Sequence, residues 1–347
     1  MSRDIRLGFT RAEWLALAGC YGVIAILHLC GWGLLLHYSR SHPMLLGMGF
    51  TAYLFGLRHA FDADHITAVD DTVRYLMERG SKPLGIGFFF SLGHSTMVLV
   101  MALAAVFAAA TVRQHLPQWR DLGALIGGGI SGGFLWLIGS LNLVVLLKIL
   151  KTRRTGAAQR TGHVHLEALL RQRGFFNRLL GGWTRRLIHH SWQMYPLGLL
   201  FGLGFDTASE VGLLALAAGA AAGQIPPGAI IALPVLFAAG MSAIDTTDGV
   251  LMVKAYDWAL VHPTRRIFYN IAITSVSVAV ALIIGSLEWL QVMSGVLHLK
   301  GGFWAAINHL DFALLGYLVV GLFLSGWAIS ILVWKAFRME TRSAALG

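Results

Sequence analysis

The chain has 347 residues, of which 56% are hydrophobic and only 13% are charged. An ordinary soluble protein carries about 25% charged residues, so this composition excludes intrinsic disorder and most water-soluble folds. The formal charge of +10 does not indicate nucleic-acid binding, because long uncharged runs separate the basic residues. We therefore interpret the sequence as that of an integral membrane protein with no nucleic-acid partner.

Eight segments are long and apolar enough to cross a bilayer, which requires about 20 mainly apolar helical residues. In chain order they are residues 14–36, 44–69, 84–112, 122–147, 195–222, 227–253, 267–287 and 310–334. The pattern predicts an all-α protein with eight transmembrane helices, divided into an N-terminal membrane half (1–147), a basic cytoplasmic loop (148–194) and a C-terminal membrane half (195–347). The loop contains ten basic residues and only one acid, Glu167. Because of this excess of positive charge, we expect contact with anionic membrane lipid.

The distribution of basic residues predicts the orientation of the chain. Twenty-two of the 27 Lys and Arg residues, Arg74 and Lys82 among them, fall in segments on the same side as the N-terminus. Because basic residues accumulate on the cytoplasmic side, we expect both termini to be cytoplasmic in a multi-pass protein of the inner (cytoplasmic) membrane. The two cysteines, Cys20 and Cys30, lie about 15 Å apart on one helix and are interpreted as packing residues.

Acids and histidines interrupt four of the predicted spans. Six acids facing lipid would cost on the order of 15–20 kcal/mol, so they must face one another, water or a cation. A single buried Asp or His is usually a hydrogen-bonded packing element, and Arg58 is spaced to pair with Asp62, but one arginine does not neutralise six acids. The candidate cation ligands are His59, Asp62, Asp64, His65, His94, Asp206, Glu210, Asp245 and Asp248.

Imidazole mixed with carboxylate, and no thiol, favours a divalent transition metal such as Ni²⁺, Co²⁺, Zn²⁺ or Mn²⁺. On an unbroken helix His59, Asp62 and His65 share one stripe and Asp64 points elsewhere. The two histidines would then lie about 9 Å apart, too far to bind one ion together. Either the helix unwinds here, which brings Asp64 inward, or the ion moves between successive sites.

Four stretches of the sequence contain these acids and histidines. They are Arg-His-Ala-Phe-Asp-Ala-Asp-His-Ile at 58–66, Gly-His-Ser-Thr at 93–96, Leu-Gly-Phe-Asp-Thr-Ala-Ser-Glu at 203–210, and Gly-Met-Ser-Ala-Ile-Asp-Thr-Thr-Asp at 240–248. All four resemble signatures of the NiCoT family of nickel/cobalt transporters. The resemblance covers the whole eight-span layout. It implies uptake of Ni²⁺ and/or Co²⁺, as substrate rather than cofactor, by a single-chain permease that is not an enzyme.

The resemblance also implies roles for particular residues. It makes His59, Asp64 and His65 central to metal recognition, whereas the helical stripe favours Asp62; a break in the helix would reconcile the two. The supporting signatures contain His94, Asp206, Glu210, Asp245 and Asp248.

A short sequence pattern occurs twice and suggests an internal repeat. Leu54-Phe55-Gly56-Leu57, followed by Phe61-Asp62, recurs as Leu200-Phe201-Gly202-Leu203 and Phe205-Asp206. Because the two predicted spans run in opposite directions, helices 2–4 and 5–7 are candidate inverted repeats with the metal between them.

We expect a secondary transporter driven by the membrane potential, with proton coupling through the acids as an option, because the sequence has no phosphate-binding loop for ATP. The alternatives are an intramembrane metalloenzyme and a metal-binding subunit of a larger transporter.

Overall fold

The computed structural model describes residues 9–77, 79–107, 109–154, 188–204, 208–223, 225–260 and 263–336. These ranges are helical and contain no strand, as expected for an all-α membrane protein. The helices are α1 (Arg11–Ser39), α2 (Met44–His59), α3 (Ala63–Met77), α4 (Ile86–Phe107), α5 (Ala109–Arg154), α6 (Met194–Phe201), α7 (Ala208–Ala222), α8 (Pro227–Ile230), α9 (Ala232–Leu260), α10 (Pro263–Leu297), α11 (Gly302–Asn308) and α12 (Phe312–Ala336).

Five helical stretches in the described ranges are long and apolar enough to span a membrane. They are Arg11–Ser39, Ile86–Ala104, Leu122–Val144, Pro227–Asp257 and Ile273–Val296. A sixth span is formed if α11 and α12, which meet at an angle of 71°, are counted together. The second and fifth predicted spans are each broken into two shorter helices, α2 with α3 and α6 with α7, so the count of eight stays a prediction.

Helix α3 lies at the centre of the described bundle. Every residue of α3 except Asp64 is buried, and the helix contacts α4, α5, α9, α10 and α12. By contrast, α1 exposes large apolar side chains such as Trp14, Ile26 and Leu29, as expected for a helix that faces lipid. The charged residues of α3 are therefore surrounded by protein.

Helix α9 passes close to both α2 and α4 because glycines stand at the crossings. A Cβ atom added at Gly56 of α2 would clash with the Phe237 carbonyl oxygen of α9. One added at Gly87 of α4 would clash with the Asp245 carbonyl oxygen. Only glycine permits these approaches, which bring Asp245 and the ends of α2 and α4 into one region of the core.

We name the two ends of the bundle after residues found there. At the Lys82 end, Lys82 forms an ion pair with Asp257 at 2.8 Å and Lys254 lies over the ring of Phe9. The His298 end contains the end of α10, all of α11 and the start of α12. The predicted cytoplasmic loop falls mostly outside the described residues, and α5 continues as helix to Arg154, past the predicted end at Leu147.

Candidate metal site

The break between α2 and α3 brings two histidines together. Helix α2 ends at His59, and Asp62 accepts through its backbone oxygen the first hydrogen bond of the next helix, from the Ile66 amide at 3.2 Å. The imidazole rings of His59 and His65 are therefore only 4.5 Å apart, centre to centre. Of the two arrangements that the sequence left open, the structure has the unwound helix.

His94 of α4 completes a cluster of three buried imidazoles. Its ring centre lies 4.7 Å from those of both His59 and His65. One ligand nitrogen from each histidine lies within 4.8 Å of the other two, and the Nε2 atoms of His59 and His94 are 2.9 Å apart. The aromatic rings of Phe90 and Phe237 pack against this cluster and hold its shape.

The second broken span contributes a carboxylate. Glu210, in the first turn of α7, is buried, and its Oε1 lies 2.8 Å from His94 Nε2 and 3.9 Å from His59 Nε2. The neighbouring Ser209 Oγ lies 3.3 Å from His59 Nδ1. Donor atoms from both broken spans therefore meet at one point.

Two further acids lie beside the other nitrogens of the cluster. Asp62 Oδ2 is 2.8 Å from His59 Nδ1, and Asp245 Oδ2 is 3.5 Å from His65 Nδ1. A carboxylate beside Nδ1 favours a proton on that nitrogen and leaves the Nε2 lone pair available for a metal. Among the described residues, Nε2 of His65 has no hydrogen-bond partner, which suits a site that receives a ligand.

The remaining candidate residues lie farther out. Asp64 is half-buried and lines a cavity beside the cluster, together with Asp62. Asp248 is half-buried one turn beyond Asp245 on α9. Asp206 lies outside the described residues.

Arg58 does not pair with Asp62, the partner that its spacing suggested. Its Nη2 donates instead to Asp311 Oδ2, 3.0 Å away, at the start of α12. The sequence could not indicate this pair because its members lie 253 residues apart. Arg58 and Asp311 both line the cavity, so this positive charge lies beside the candidate metal site.

Sequence reasoning also missed a polar network inside the bundle, because the charges that follow Val69 resemble the end of a span. Asp70, Asp71 and Arg74 of α3 are fully buried. Asp70 accepts hydrogen bonds from Tyr256 and Ser277, both at 2.7 Å, and Arg74 donates to Thr274. Asn142 donates to Asp71 at 2.6 Å. The spacing of Asp70 and Arg74, four residues apart, was the available signal.

The cavity beside the cluster has a volume of about 920 Å³. Its walls come from the His298 end, with His298, His309 and Asp311, and from the broken spans, with Asp62, Asp64 and Ser209. Acidic side chains thus line the cavity from the His298 end of the bundle to Asp62, whose Oδ2 lies beside His59.

The donor geometry fits a transition metal. With bonds of about 2.0–2.1 Å, two adjacent ligands of one ion lie about 2.9–3.4 Å apart. The His59–His94 separation of 2.9 Å and the His94–Glu210 separation of 2.8 Å are close to this range. The cluster can therefore surround a divalent ion with imidazole nitrogen and carboxylate oxygen after small shifts.

Comparison with known proteins identifies the family. The family model described as "High-affinity nickel-transport protein" matches residues 45–333. The chain is 46% identical over 330 residues to "Nickel transporter NixA" of Staphylococcus aureus, covering 95% of this chain and 96% of that protein. It is 46% identical to "Nickel transporter NicT" of Mycobacterium tuberculosis (98% and 94% covered) and 42% identical to "Cobalt transport protein NhlF" of Rhodococcus rhodochrous (93% and 94% covered).

No solved structure matches the chain. The family match and the relatives span nearly the whole sequence, and they agree with the resemblance seen in the four signatures. The chain belongs to the family of high-affinity nickel-transport proteins.

Proposed function

We propose that this protein imports Ni²⁺ and/or Co²⁺ across the cytoplasmic membrane as a secondary transporter. The observation that carries the proposal is the cluster of His59, His65, His94 and Glu210, where two broken spans meet beside a cavity lined by acids. Relatives named as nickel and cobalt transporters support the choice of ion. The membership of a transporter family gives no support to the metalloenzyme alternative.

The first step is the loss of water from the ion. A dication that reaches the end of the cavity meets Asp62 and Asp64 and then the imidazoles, which replace its water ligands one by one. The ion in turn offsets the cost of burying the carboxylates of Glu210 and Asp245. Ion and site therefore stabilise each other during passage.

The packing of the two halves supports an inverted repeat. Helices α2 and α3 pack on α9, and their counterparts α6 and α7 pack on α4. An inverted repeat would make α2 and α3 equivalent to α6 and α7, and α4 equivalent to α9. The contact of α2 and α3 with α9 would then correspond to the contact of α6 and α7 with α4. Rocking of one half against the other would then expose the histidines to the two sides alternately.

The cavity supports an assignment of the state. It extends from the His298 end to Asp62 and Ser209, which lie beside His59, whereas the Asp70 network and the crossing at Gly87 hold the helices together toward the Lys82 end. With both termini in the cytoplasm, as the basic residues predict, the His298 end is external. The structure then corresponds to an outward-facing transporter.

The membrane potential is sufficient to drive import. A potential of 100 mV, negative inside, contributes about 2.3 kcal/mol per charge and hence about 4.6 kcal/mol for a dication. This corresponds to accumulation of roughly 10³-fold. Proton movement through the buried acids is the alternative source of energy, and the two are distinguished by clamping the potential and the pH gradient separately.

The test is uptake of radioactive Ni²⁺ or Co²⁺ by proteoliposomes under an imposed potential. We expect accumulation with the wild type and a loss of at least tenfold in His59→Ala and His65→Ala at equal protein content. No uptake by the purified wild-type chain would favour a subunit of a larger transporter. Unchanged uptake in both variants would refute the site.

A further inference from the structure

A fixed positive charge stands beside the route of the cation. Arg58 immediately precedes His59, and its side chain is 41% exposed to the same cavity that Asp62 and Asp64 line. A free guanidinium in this position would repel an incoming dication and compete with it for the two acids. In the structure the guanidinium donates to Asp311 Oδ2 at 3.0 Å.

Asp311 is itself held rigidly. Its Oδ1 accepts hydrogen bonds from the backbone amides of Ala313 at 2.9 Å and Leu314 at 3.2 Å, and so caps the N-terminus of α12. Its Oδ2 is left to bind Arg58. Because the amides of α12 hold Oδ1, the orientation of the whole carboxylate is fixed. Oδ2 therefore holds the Arg58 guanidinium close to α12.

The next turn of α12 packs on the break itself. A Cβ atom added at Gly316 would clash with the carbonyl oxygen of Phe61, between His59 and Asp62, so the helix touches the unwound backbone. The ring of Tyr317 lies 5.0 Å from that of Phe61. Helix α12 is therefore attached to the metal-binding segment at two adjacent points, the ion pair and this contact.

We propose that Asp311 is a positioning residue for metal uptake, which keeps the charge of Arg58 away from Asp62 and Asp64 so that these acids remain available to the incoming dication. The proposal rests on the proposed transport function and adds a role for the last helix. It implies that loss of the Asp311 charge harms metal capture chiefly because it releases Arg58.

The test uses three variants: Asp311→Asn, Arg58→Gln and the double variant Arg58→Gln/Asp311→Asn. Asparagine also caps helices well, so Asp311→Asn removes the charge while retaining an oxygen for the amides of α12. Lys82→Gln serves as a matched control, because it breaks an ion pair of 2.8 Å at the other end of the bundle. Initial rates of radioactive Ni²⁺ uptake by proteoliposomes are measured over a range of Ni²⁺ concentrations.

We expect Asp311→Asn to raise the KM for Ni²⁺ at least tenfold with a change in Vmax of less than threefold. The double variant should return KM to within threefold of the wild type, because no released charge remains. A double variant as impaired as Asp311→Asn would overturn the proposal and assign the loss to helix packing. So would a KM that is unchanged in Asp311→Asn.

The same experiment separates this inference from the transport function. If the wild type takes up no Ni²⁺, the proposed function and the inference fail together. If the wild type and Lys82→Gln transport normally and Asp311→Asn does so with the same KM, only the inference fails.

Discussion

His59 and His65 each lie beside one acid that is close to Nδ1, Asp62 for the first and Asp245 for the second. This arrangement leaves the opposite nitrogen of each ring available to a shared ion, and acids in this position commonly orient histidines that bind metals. The sequence left open whether Asp62 or Asp64 is the acid central to metal recognition. The structure gives these two acids different surroundings. Asp62 is buried beside His59, and Asp64 is half-buried in the wall of the cavity.

At this scale we predict the effect of Asp62→Asn, which retains the shape of the side chain and removes its charge. Loss of an acid that orients a metal-binding histidine costs about 10–100-fold in affinity. We expect a reduction of this size in the affinity of the purified protein for Ni²⁺, measured by isothermal titration calorimetry. Glu13→Gln, which alters an exposed acid at the start of α1, is the control. An affinity within threefold of the wild type would contradict the role of Asp62.

Among the elements, α3 connects the metal site to the rest of the bundle. It begins beside the histidines and carries Asp70, whose two oxygens accept hydrogen bonds from α9 and α10. Such a network is stable only when each buried polar group is bonded. Because it joins helices from both halves of the chain, it is well placed to hold the bundle closed toward the Lys82 end.

Two serines on one helix allow this network to be tested. Ser277 is buried and donates to Asp70 Oδ2 at 2.7 Å, whereas the exposed Ser275 donates only to the Ile271 carbonyl of its own helix. A hydrogen bond to a charged group contributes about 1.5–3 kcal/mol, so Ser277→Ala should lower the free energy of unfolding by about that amount. Ser275→Ala should change it by less than about 0.5 kcal/mol. Denaturant titration of the purified variants measures both values, and equal values would argue against the network.

At the scale of the whole molecule, the sequence was a good guide to the residues that come together. It was a poorer guide to how the chain is arranged around them. The cost of placing ionisable side chains in a membrane was sufficient to select His94, Glu210 and Asp245, which all reach the cluster. The sequence left open whether the helix unwinds after His59, because Ala60 and Phe61 do not disfavour a helix and the contact of Gly316 with Phe61 is made only in the folded protein. The buried charges of α3 were missed because other helices, and not lipid, enclose them.

The outward-facing assignment predicts the accessibility of the cavity. In a Cys20→Ala/Cys30→Ala background, which removes both native cysteines, Ala124→Cys should react with a membrane-impermeant maleimide in right-side-out vesicles, because Ala124 lines the cavity. Lys82→Cys should react only in inverted vesicles. The reverse pattern would contradict the orientation.

The central claim is that one divalent ion binds between His59, His65 and His94, beside Glu210 of the second broken span. Nickel-edge X-ray absorption of the purified protein loaded with one equivalent of Ni²⁺ tests it most directly. We predict two or three imidazole nitrogens at about 2.0–2.1 Å, with one fewer in His94→Ala. A spectrum with only oxygen ligands, unchanged by His94→Ala, would contradict the account.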